Sequence, residues 1–317
     1  MDVHPSPRRS IVQAVWPLLM VAVLGAVLLD DPALLRLVMT ALARVNPGAV
    51  LIVLPVQLLA IGVCVFAQQA LLPGVPFKAS FASRLVRDAA NHLVFLPPGF
   101  GDAIGARMLV LAGGRLRAAL SVRALDIMAE ILGQLPFMAL AGVVLWQLGS
   151  KTHWPELHLL GGPWFWGIIA GLALIAVVVT AQFAPLAAWL RRLRIEALLL
   201  RRELRRRWRG MPLAIVLHML GWGLSGAQLW LAGWVFGFKL SLFGALALEG
   251  AASSSRILLF FIPGGIGTQE AAIVAAGLAF GLSPAQSLAL ALVFRLRDLV
   301  FGLGLLWWPI AEYSQRK

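Results

Sequence analysis

The chain has 317 residues, of which 60% are hydrophobic and only 13% are charged, and its formal net charge is +13. Soluble domains carry about 25% charged residues, so this composition excludes an ordinary soluble protein and indicates an integral membrane protein. The basic residues cluster in a few places, which is typical of membrane topology signals, and no nucleic-acid partner is predicted. The single cysteine, Cys64, excludes a disulfide within the chain.

Several apolar runs are long enough to cross a bilayer as helices. The first run follows Arg8 and Arg9, and no small-residue cleavage site follows it, so it is interpreted as a retained span and not as a signal peptide. The predicted spans are 11–29, 47–72, 120–148, 164–190, 211–236 and 284–310.

Two further apolar regions, 77–113 and 240–281, are interrupted by helix breakers at Pro97–Gly101 and Pro263–Gly267. Proline removes a backbone donor, and glycine permits sharp backbone paths. Irregular backbone at membrane depth is tolerated only where protein or a water-filled cavity surrounds it. Each broken region is therefore predicted to be a re-entrant hairpin of two half-helices that meet at an internal tip.

The basic segment 191–209 contains nine arginines and two glutamates. The positive-inside rule places it in the cytoplasm. If both hairpins enter and leave on one side, the six spans put this segment and both termini on the cytoplasmic side. The segment could also bind anionic lipid head groups, although a plain topology signal is the favoured interpretation.

Three short matches relate the two halves of the chain in the same order. They pair Phe77–Ser80 with Phe238–Ser241, Leu96–Gly101 with Ile262–Gly267, and Arg123–Asp126 with Arg295–Asp298. The basic segment between the halves reverses the second copy, and inverted repeats with broken helices are typical of secondary transporters. The predicted fold is an all-α polytopic membrane protein with about six spanning helices plus two re-entrant helical hairpins in an inverted repeat.

This repeat divides the chain into four predicted segments. They are an N-terminal span and amphipathic segment (1–46), a first repeat (47–148), a linking span with the basic segment (149–210), and a second, inverted repeat (211–317).

The helix before each tip carries ionisable groups on one face. Arg84, Asp88 and Asn91 share a face before the first tip, and Glu249, Ser253 and Arg256 share one before the second. An ionisable group at the bilayer centre costs about 2.5–3.5 kcal/mol. Two interpretations stay open: ion pairs that fix each hairpin, or a polar lining for a lipid head group or a proton.

The residues after each tip open a half-helix with free N–H groups and a partial positive charge. Asp102 or Glu270 could cap that end, or the N–H groups could bind an anionic or hydroxyl-bearing substrate. The predicted substrate path comprises Arg84, Asp88, Asn91, Pro98, Gly99, Gly101, Asp102, Arg107, Glu130, Glu249, Ser253, Arg256, Pro263, Gly264, Gly265, Gly267, Gln269 and Glu270. No catalytic residue, metal ligand or cofactor is predicted.

Other polar residues receive structural interpretations. Arg and Asp near a helix start are often interfacial anchors, which is the favoured interpretation of Arg123, Asp126, Arg295 and Asp298. Single histidines on apolar faces are more often packed and hydrogen-bonded than ligands, which is expected of His92 and His218, although His92 could join Asp88 in a proton relay. Aromatic residues near span ends favour a membrane-interface belt, expected of Trp222, Trp230, Trp234, Trp307 and Trp308.

Two segments, Ser83–Gly114 and Phe260–Val300, carry a resemblance to a known family. They resemble the flippase-like family named for the transmembrane region of lysyl-phosphatidylglycerol synthase, and most closely its hopanoid-associated bacterial branch. The motif Pro263–Gly267 followed by Glu270 is the more specific one. The first tip departs from it, because Phe100 stands where many members have a basic residue.

The resemblance implies a lipid transporter or flippase of the bacterial inner membrane with a hopanoid-type triterpenoid as substrate, moved between leaflets or toward the outer membrane. With no soluble synthase domain in the chain, aminoacyl transfer to lipid is not expected. The alternatives are a flippase for an aminoacylated phospholipid, or an intramembrane enzyme modifying a lipid or polyprenyl carrier with Glu130 and His92 as acid–base groups. A scaffold for lipid-synthesis enzymes and homo-oligomerisation are also left open.

Overall fold

The computed structural model describes residues 32–92, 100–151, 202, 205–259, 265 and 267–314. Within these ranges the secondary structure is helical, without strands, which confirms the predicted all-α fold. The helices are α1 (Pro32–Arg44), α2 (Pro47–Leu71), α3 (Phe77–His92), α4 (Phe100–Leu111), α5 (Leu116–Lys151), α6 (Met211–Val235), α7 (Leu242–Leu258), α8 (Thr268–Ala279), α9 (Pro284–Gly302) and α10 (Trp307–Ser314).

Three helical stretches in the described residues are long and apolar enough to cross a membrane: Pro47–Leu71, Leu116–Gln147 and Arg205–Val235. They match three of the predicted spans, so the chain is a multi-pass membrane protein. The predicted spans 11–29 and 164–190 lie outside the described residues, as does most of the basic segment 191–209. The four predicted segment boundaries stay a prediction.

Local sequence sets where several helices begin. Asn46 caps α2, because its side-chain oxygen accepts the Gly48 N–H at 2.8 Å, and Pro47 follows at the first helical position. Ser283 caps α9 in the same way, and the Ser283 N–H donates to Gln286 Oε1 at 2.8 Å. These caps satisfy N–H groups that a helix end would otherwise leave unpaired.

The two broken regions form helix pairs. Helix α3 ends at His92 and α4 begins at Phe100, and α7 ends at Leu258 and α8 begins at Thr268. The helices of each pair pack against each other, as expected of a hairpin. Most of each tip, including Pro98, Gly99, Pro263 and Gly264, lies outside the described residues.

The two halves repeat one packing pattern. Helices α2 and α6 pack along each other, and each packs on the hairpin that follows it, α3 or α7. The third helix of each half crosses over: α5 packs on α7, and α9 packs on α3. Each hairpin is therefore held by helices from both halves, which brings polar groups from distant parts of the chain together.

The apolar core lies mainly in the second half. Leu229, Leu248, Ile273 and Phe294 are fully buried in its largest cluster, together with Val53 from α2. A smaller cluster joins α2, α5 and α6 around Ala67, Leu125 and Met211. These contacts fix the positions of the helices that carry the buried charges.

The last predicted span, 284–310, is not one continuous helix. Helix α9 is followed by a 3₁₀ turn, Leu303–Leu306, and then by α10. Gly304 lies against Leu85 of α3, so closely that a Cβ there would come within 2.7 Å of the Leu85 side chain. The small residue lets the chain bend over the first hairpin, and α10 then packs on α4.

Candidate functional site

A cluster of buried charges, here named the first cluster, lies where the first hairpin meets α5 and α6. It comprises Arg84, Arg87, Asp88, Asp102, Arg123, Asp126, Glu130 and His218. Residues 84, 87 and 88 share a face because they are spaced by one helical turn. That face of α3 points toward Asp126 and Glu130 of α5, which lie one turn apart on their own helix.

Arg84 links three carboxylates. Its Nε donates to Asp88 at 2.9 Å, its Nη2 to Glu130 at 2.8 Å, and its Nη1 to Asp126 at 3.3 Å. Only 5% of its side chain is exposed. Each nitrogen of this guanidinium group therefore has its own acidic partner.

Arg87 has an equally complete set of partners. Its Nε donates to Asp102 at 2.6 Å, its Nη2 to Glu130 at 2.8 Å, and its Nη1 to Asp88 at 3.3 Å. Its side chain is 7% exposed. Because Asp102 belongs to α4, Arg87 joins both helices of the first hairpin to α5.

The sequence interpretation expected Arg123 and Asp126 to be interfacial anchors, but both residues are buried between helices. Asp126 is completely buried and accepts from Arg123 at 3.2 Å and pairs with His218 Nε2 at 2.8 Å. Arg123 also donates to the Ser83 hydroxyl. The anchor interpretation was wrong because α6 and α3 cover this end of α5, which the sequence alone does not show. His218 is packed and hydrogen-bonded, as expected.

A second cluster lies beside the second hairpin. It comprises Glu249, Arg256, Gln269, Glu270, Arg295, Arg297 and Asp298. Glu249 is 1% exposed, and its Oε1 accepts from Arg256 Nη2 at 3.3 Å. Arg256 Nη1 lies 3.4 Å from Gln269 Oε1. Both contacts of Arg256 are longer than the four short hydrogen bonds of Arg84 and Arg87, which measure 2.6–2.9 Å, and 21% of the Arg256 side chain is exposed.

Trp222 lies against the second cluster. The Arg256 guanidinium carbon is 5.5 Å from the centre of the indole ring, within the range of a cation–π contact. The indole N–H donates to the Glu130 carbonyl at 3.2 Å. The belt interpretation of Trp222 was therefore wrong, because this ring faces the partly buried Arg256. Trp222 also connects the two clusters through α5.

Glu270 caps α8 at the second tip. Its Oε2 accepts the Gly267 N–H at 2.8 Å, and Arg295 of α9 donates to both of its carboxylate oxygens. Arg295 also donates to the Gly265 carbonyl at 3.0 Å. Gly265 and Gly267 have positive φ values of 59° and 79°, which favour glycine. Arg295 thus holds the tip to α9 and is not an interfacial anchor.

Asp298 is also buried, and its anchor interpretation was wrong too. Its Oδ1 accepts from Arg297 at 2.7 Å, and its Oδ2 lies 3.4 Å from His92 Nδ1 at the end of α3. Arg297 donates to Gln228 at 2.8 Å, and Gln228 donates to Gln57. His92 therefore faces Asp298 of the other half, and the proton relay with Asp88 stays a hypothesis.

Two predicted path residues lie on α4. Asp102 sits in the first turn of α4, where a carboxylate suits the helix dipole, and it pairs with Arg87. Arg107 makes two hydrogen bonds to Glu312 of α10, at 2.7 and 2.9 Å, with 49% of its side chain exposed. Neither of these two hydrogen bonds connects Arg107 to the first or the second cluster, and its role in a path stays a prediction.

The remaining predicted residues pack closely around the hairpins. Gly101 of α4 lies so near α3 that a Cβ there would collide with the Asn91 side chain and the Arg87 carbonyl. Ser253 is buried and donates to the Gly250 carbonyl at 3.1 Å. The prolines and glycines outside the described residues remain predictions.

Sequence reasoning missed Arg87, Arg297 and Gln228. Arg87 lies three residues after Arg84 and one before Asp88, so helical spacing could have placed it on the same face. Arg297 and Gln228 gave no such signal, because their pairing depends on how α9 packs against α6.

In addition to these two hairpins with their buried ion pairs, the sequence matches a known family. The sequence profile described as the lysylphosphatidylglycerol synthase TM region matches residues 14–305. The chain belongs to this family. No curated protein matches the sequence.

Membership of the lysylphosphatidylglycerol synthase TM region family connects the chain with membrane lipids. It supports the resemblance noted from Ser83–Gly114 and Phe260–Val300 at the level of the family. The family match does not distinguish the hopanoid-associated branch or name a lipid substrate.

Proposed function

We propose that this protein moves a membrane lipid between the two leaflets of a bacterial inner membrane. The observation that carries the proposal is the pair of ion clusters, packed against two broken helical hairpins in a membrane protein of a lipid-related family. Buried ionisable groups in membrane helices are costly and mark substrate or ion pathways. Broken helices around such groups are typical of transporters.

The lipid would pass between the hairpins with its polar end near Arg256 and Glu270, while its apolar part stays against the apolar helices. A polar head group needs hydrogen-bonding partners at the membrane centre, because water is absent there. Arg256 and Glu270 belong to the two helices of the second hairpin, so they can supply such partners beside its tip.

The resemblance to the hopanoid-associated branch makes a hopanoid-type triterpenoid the first substrate to test. Such a molecule has a rigid apolar ring system and little charge, which suits a pathway walled by apolar helices. An aminoacylated phospholipid is the alternative substrate within the same transport function.

The test is a leaflet-exchange assay with purified full-length protein in vesicles that contain fluorescent phospholipid or a labelled triterpenoid. We expect the wild-type protein to accelerate exchange over protein-free vesicles. Glu270→Gln should slow exchange because it weakens both the cap of α8 and the tie to Arg295. Asp88→Asn should also slow it, because two arginines lose part of their charge compensation.

The matched control is Lys239→Gln, which changes one exposed charge next to the second hairpin. Exchange at the wild-type rate is expected for this variant. If wild-type protein fails to accelerate exchange of either lipid, the transport proposal is wrong. If Glu270→Gln and Asp88→Asn both exchange at the wild-type rate, these residues do not belong to the path.

A further inference from the structure

The two clusters differ in how completely their charges are paired. In the first cluster, all three nitrogens of both Arg84 and Arg87 have carboxylate partners, four of the six at 2.6–2.9 Å. Short, charge-assisted hydrogen bonds of this kind are the strongest in proteins. A substrate could bind these groups only by breaking bonds that hold three helices together.

In the second cluster, the pair formed by Glu249 and Arg256 is loose. Arg256 Nη2 lies 3.3 Å from Glu249 Oε1, and Arg256 Nη1 lies 3.4 Å from Gln269 Oε1, at the long end of the hydrogen-bond range. Glu249 Oε2 is buried, and within the described residues no donor reaches it with hydrogen-bonding geometry. The Ser225 hydroxyl faces the same carboxylate. This contact leaves Oε2 without a hydrogen bond of good geometry, which is costly for a buried carboxylate oxygen, so an external donor would stabilise it.

The surroundings of Arg256 form the other parts of a binding site. Trp222 covers one side of the guanidinium group at 5.5 Å, and Gly265 of the tip lies against its side chain, where a Cβ would be 3.2 Å from Cγ. Arg256 is more accessible than Arg84, with 21% of its side chain exposed against 5%. Arg256 can therefore donate to an acceptor on a molecule that enters beside the tip.

The charges of the second cluster balance. Its three arginines are matched by three carboxylates, namely Glu249, Glu270 and Asp298 against Arg256, Arg295 and Arg297. A head group with an uncompensated charge would upset this balance in a medium of low dielectric constant. A head group without net charge would not, provided that it offers both a donor and an acceptor.

We infer that Glu249, Arg256, Gln269 and Trp222 form a binding site for a lipid head group with no net charge, which donates a hydrogen bond to Glu249 and accepts one from Arg256. The inference rests on the proposed function and assigns substrate contact to the second half of the chain, with the first cluster as a structural frame. Two kinds of head group have this chemistry: a zwitterion with an ammonium and a phosphate, and an uncharged polyol.

The test measures lipid retention by the full-length protein in detergent, with bound lipid identified by mass spectrometry after exposure to equal amounts of three probes. The probes are phosphatidylethanolamine, a glucosyl-diacylglycerol and anionic phosphatidylglycerol. We expect the protein to retain phosphatidylethanolamine, the glucosyl-diacylglycerol or both in preference to phosphatidylglycerol. Retention of phosphatidylethanolamine indicates an ammonium donor, and retention of the glucosyl-diacylglycerol indicates a hydroxyl donor. Preference for phosphatidylglycerol, or no preference, overturns the inference.

Two variants assign the binding to this site. Glu249→Gln and Arg256→Gln should each lower retention about tenfold, the size expected for one hydrogen bond to a charged group. Lys239→Gln removes an exposed positive charge at the base of the second hairpin, away from this site, and should retain lipid like the wild type. Unchanged retention in the folded Glu249→Gln and Arg256→Gln variants overturns the assignment.

Two conservative variants keep the test decisive if the first substitutions prevent folding. If Glu249→Gln elutes as an aggregate, Trp222→Phe keeps an aromatic wall but removes the indole N–H, and Arg256→Lys keeps the charge but loses the planar group. Retention should fall for Arg256→Lys more than for Trp222→Phe, and the reverse order contradicts the inference. The retention assay does not require leaflet exchange. If the protein retains lipid but does not accelerate exchange, the transport proposal is wrong and the binding site stands.

Discussion

Arg84 and Arg87 each join three carboxylates, which lie on α3 and α5 for Arg84 and on α3, α4 and α5 for Arg87. Removing one guanidinium group leaves buried negative charge without compensation, which costs more than the intact pair contributes. Glu130 depends on both arginines at 2.8 Å. The stability of the first hairpin should therefore respond strongly to a change at either arginine.

Arg87→Gln is expected to lower the free energy of unfolding by about 3–5 kcal/mol, because it leaves Asp102 and Glu130 with incomplete partners in a buried place. The measurement is thermal unfolding of the purified protein in detergent. The control is Arg107→Gln, whose pair with Glu312 is half-exposed and should contribute about 0–1 kcal/mol. Equal losses in the two variants would contradict the frame role of the first cluster.

At the residue scale, helical spacing predicted the pairs Arg84–Asp88 and Glu249–Arg256, which the structure contains. Such pairs are local, so sequence distance alone reveals them. Asp126 pairs with Arg84 of α3 and His218 of α6, and Asp298 of α9 faces His92 of α3. Those contacts depend on how distant helices pack, and for this reason both residues were misread as interfacial anchors.

Within each hairpin, a close approach of two helices depends on glycine. Gly101 lets α4 lie directly on α3, against the Asn91 side chain and the Arg87 carbonyl. The neighbouring Gly105 is similarly tight, with an added Cβ about 3.0 Å from Arg87 and Arg123. The buried charges of α3 and α4 can meet only because these positions have no side chain.

Gly101→Ala should destabilise the protein by about 1–3 kcal/mol, since the new methyl group must displace backbone as well as the Asn91 side chain. Thermal unfolding measures the effect. Gly142→Ala in α5 is the matched control, because nothing lies within 4 Å of an added Cβ there. That change should leave stability unaltered or raise it slightly. A Gly101→Ala protein as stable as the Gly142→Ala protein would show that the hairpin is less tightly packed.

At the element scale, the helix bounds could be predicted closely. The predicted span 47–72 matches α2, and the predicted break near Pro98 separates α3 from α4. Proline and glycine act on the local backbone, so their effect is visible in sequence. The bend after Gly302 was missed, because it depends on the packing of Gly304 against α3.

For the whole molecule, the exchange of third helices between halves is the central feature. Helix α5 packs on the second hairpin and α9 on the first, so each hairpin contacts both halves of the chain. The order of elements repeated in the sequence predicted two similar halves. The packing of α5 and α9 on the hairpin of the opposite half could not be predicted, because the same repeat is compatible with each half packing on itself.

The proposed transport function requires two hairpins that enter the bilayer from opposite faces and bring their tips to its interior. Cysteine-accessibility labelling in intact cells tests this, after the native Cys64 has been replaced by alanine. Reporter positions are Phe100→Cys and Thr268→Cys beside the tips, and the exposed Lys78→Cys and Lys239→Cys at the hairpin bases.

We predict that an impermeant thiol reagent labels Lys239→Cys in intact cells and Lys78→Cys only after permeabilisation, while both tip positions react far more slowly than either base. Tip cysteines that react as fast as those at the bases, or two bases that label from the same side, would contradict the account.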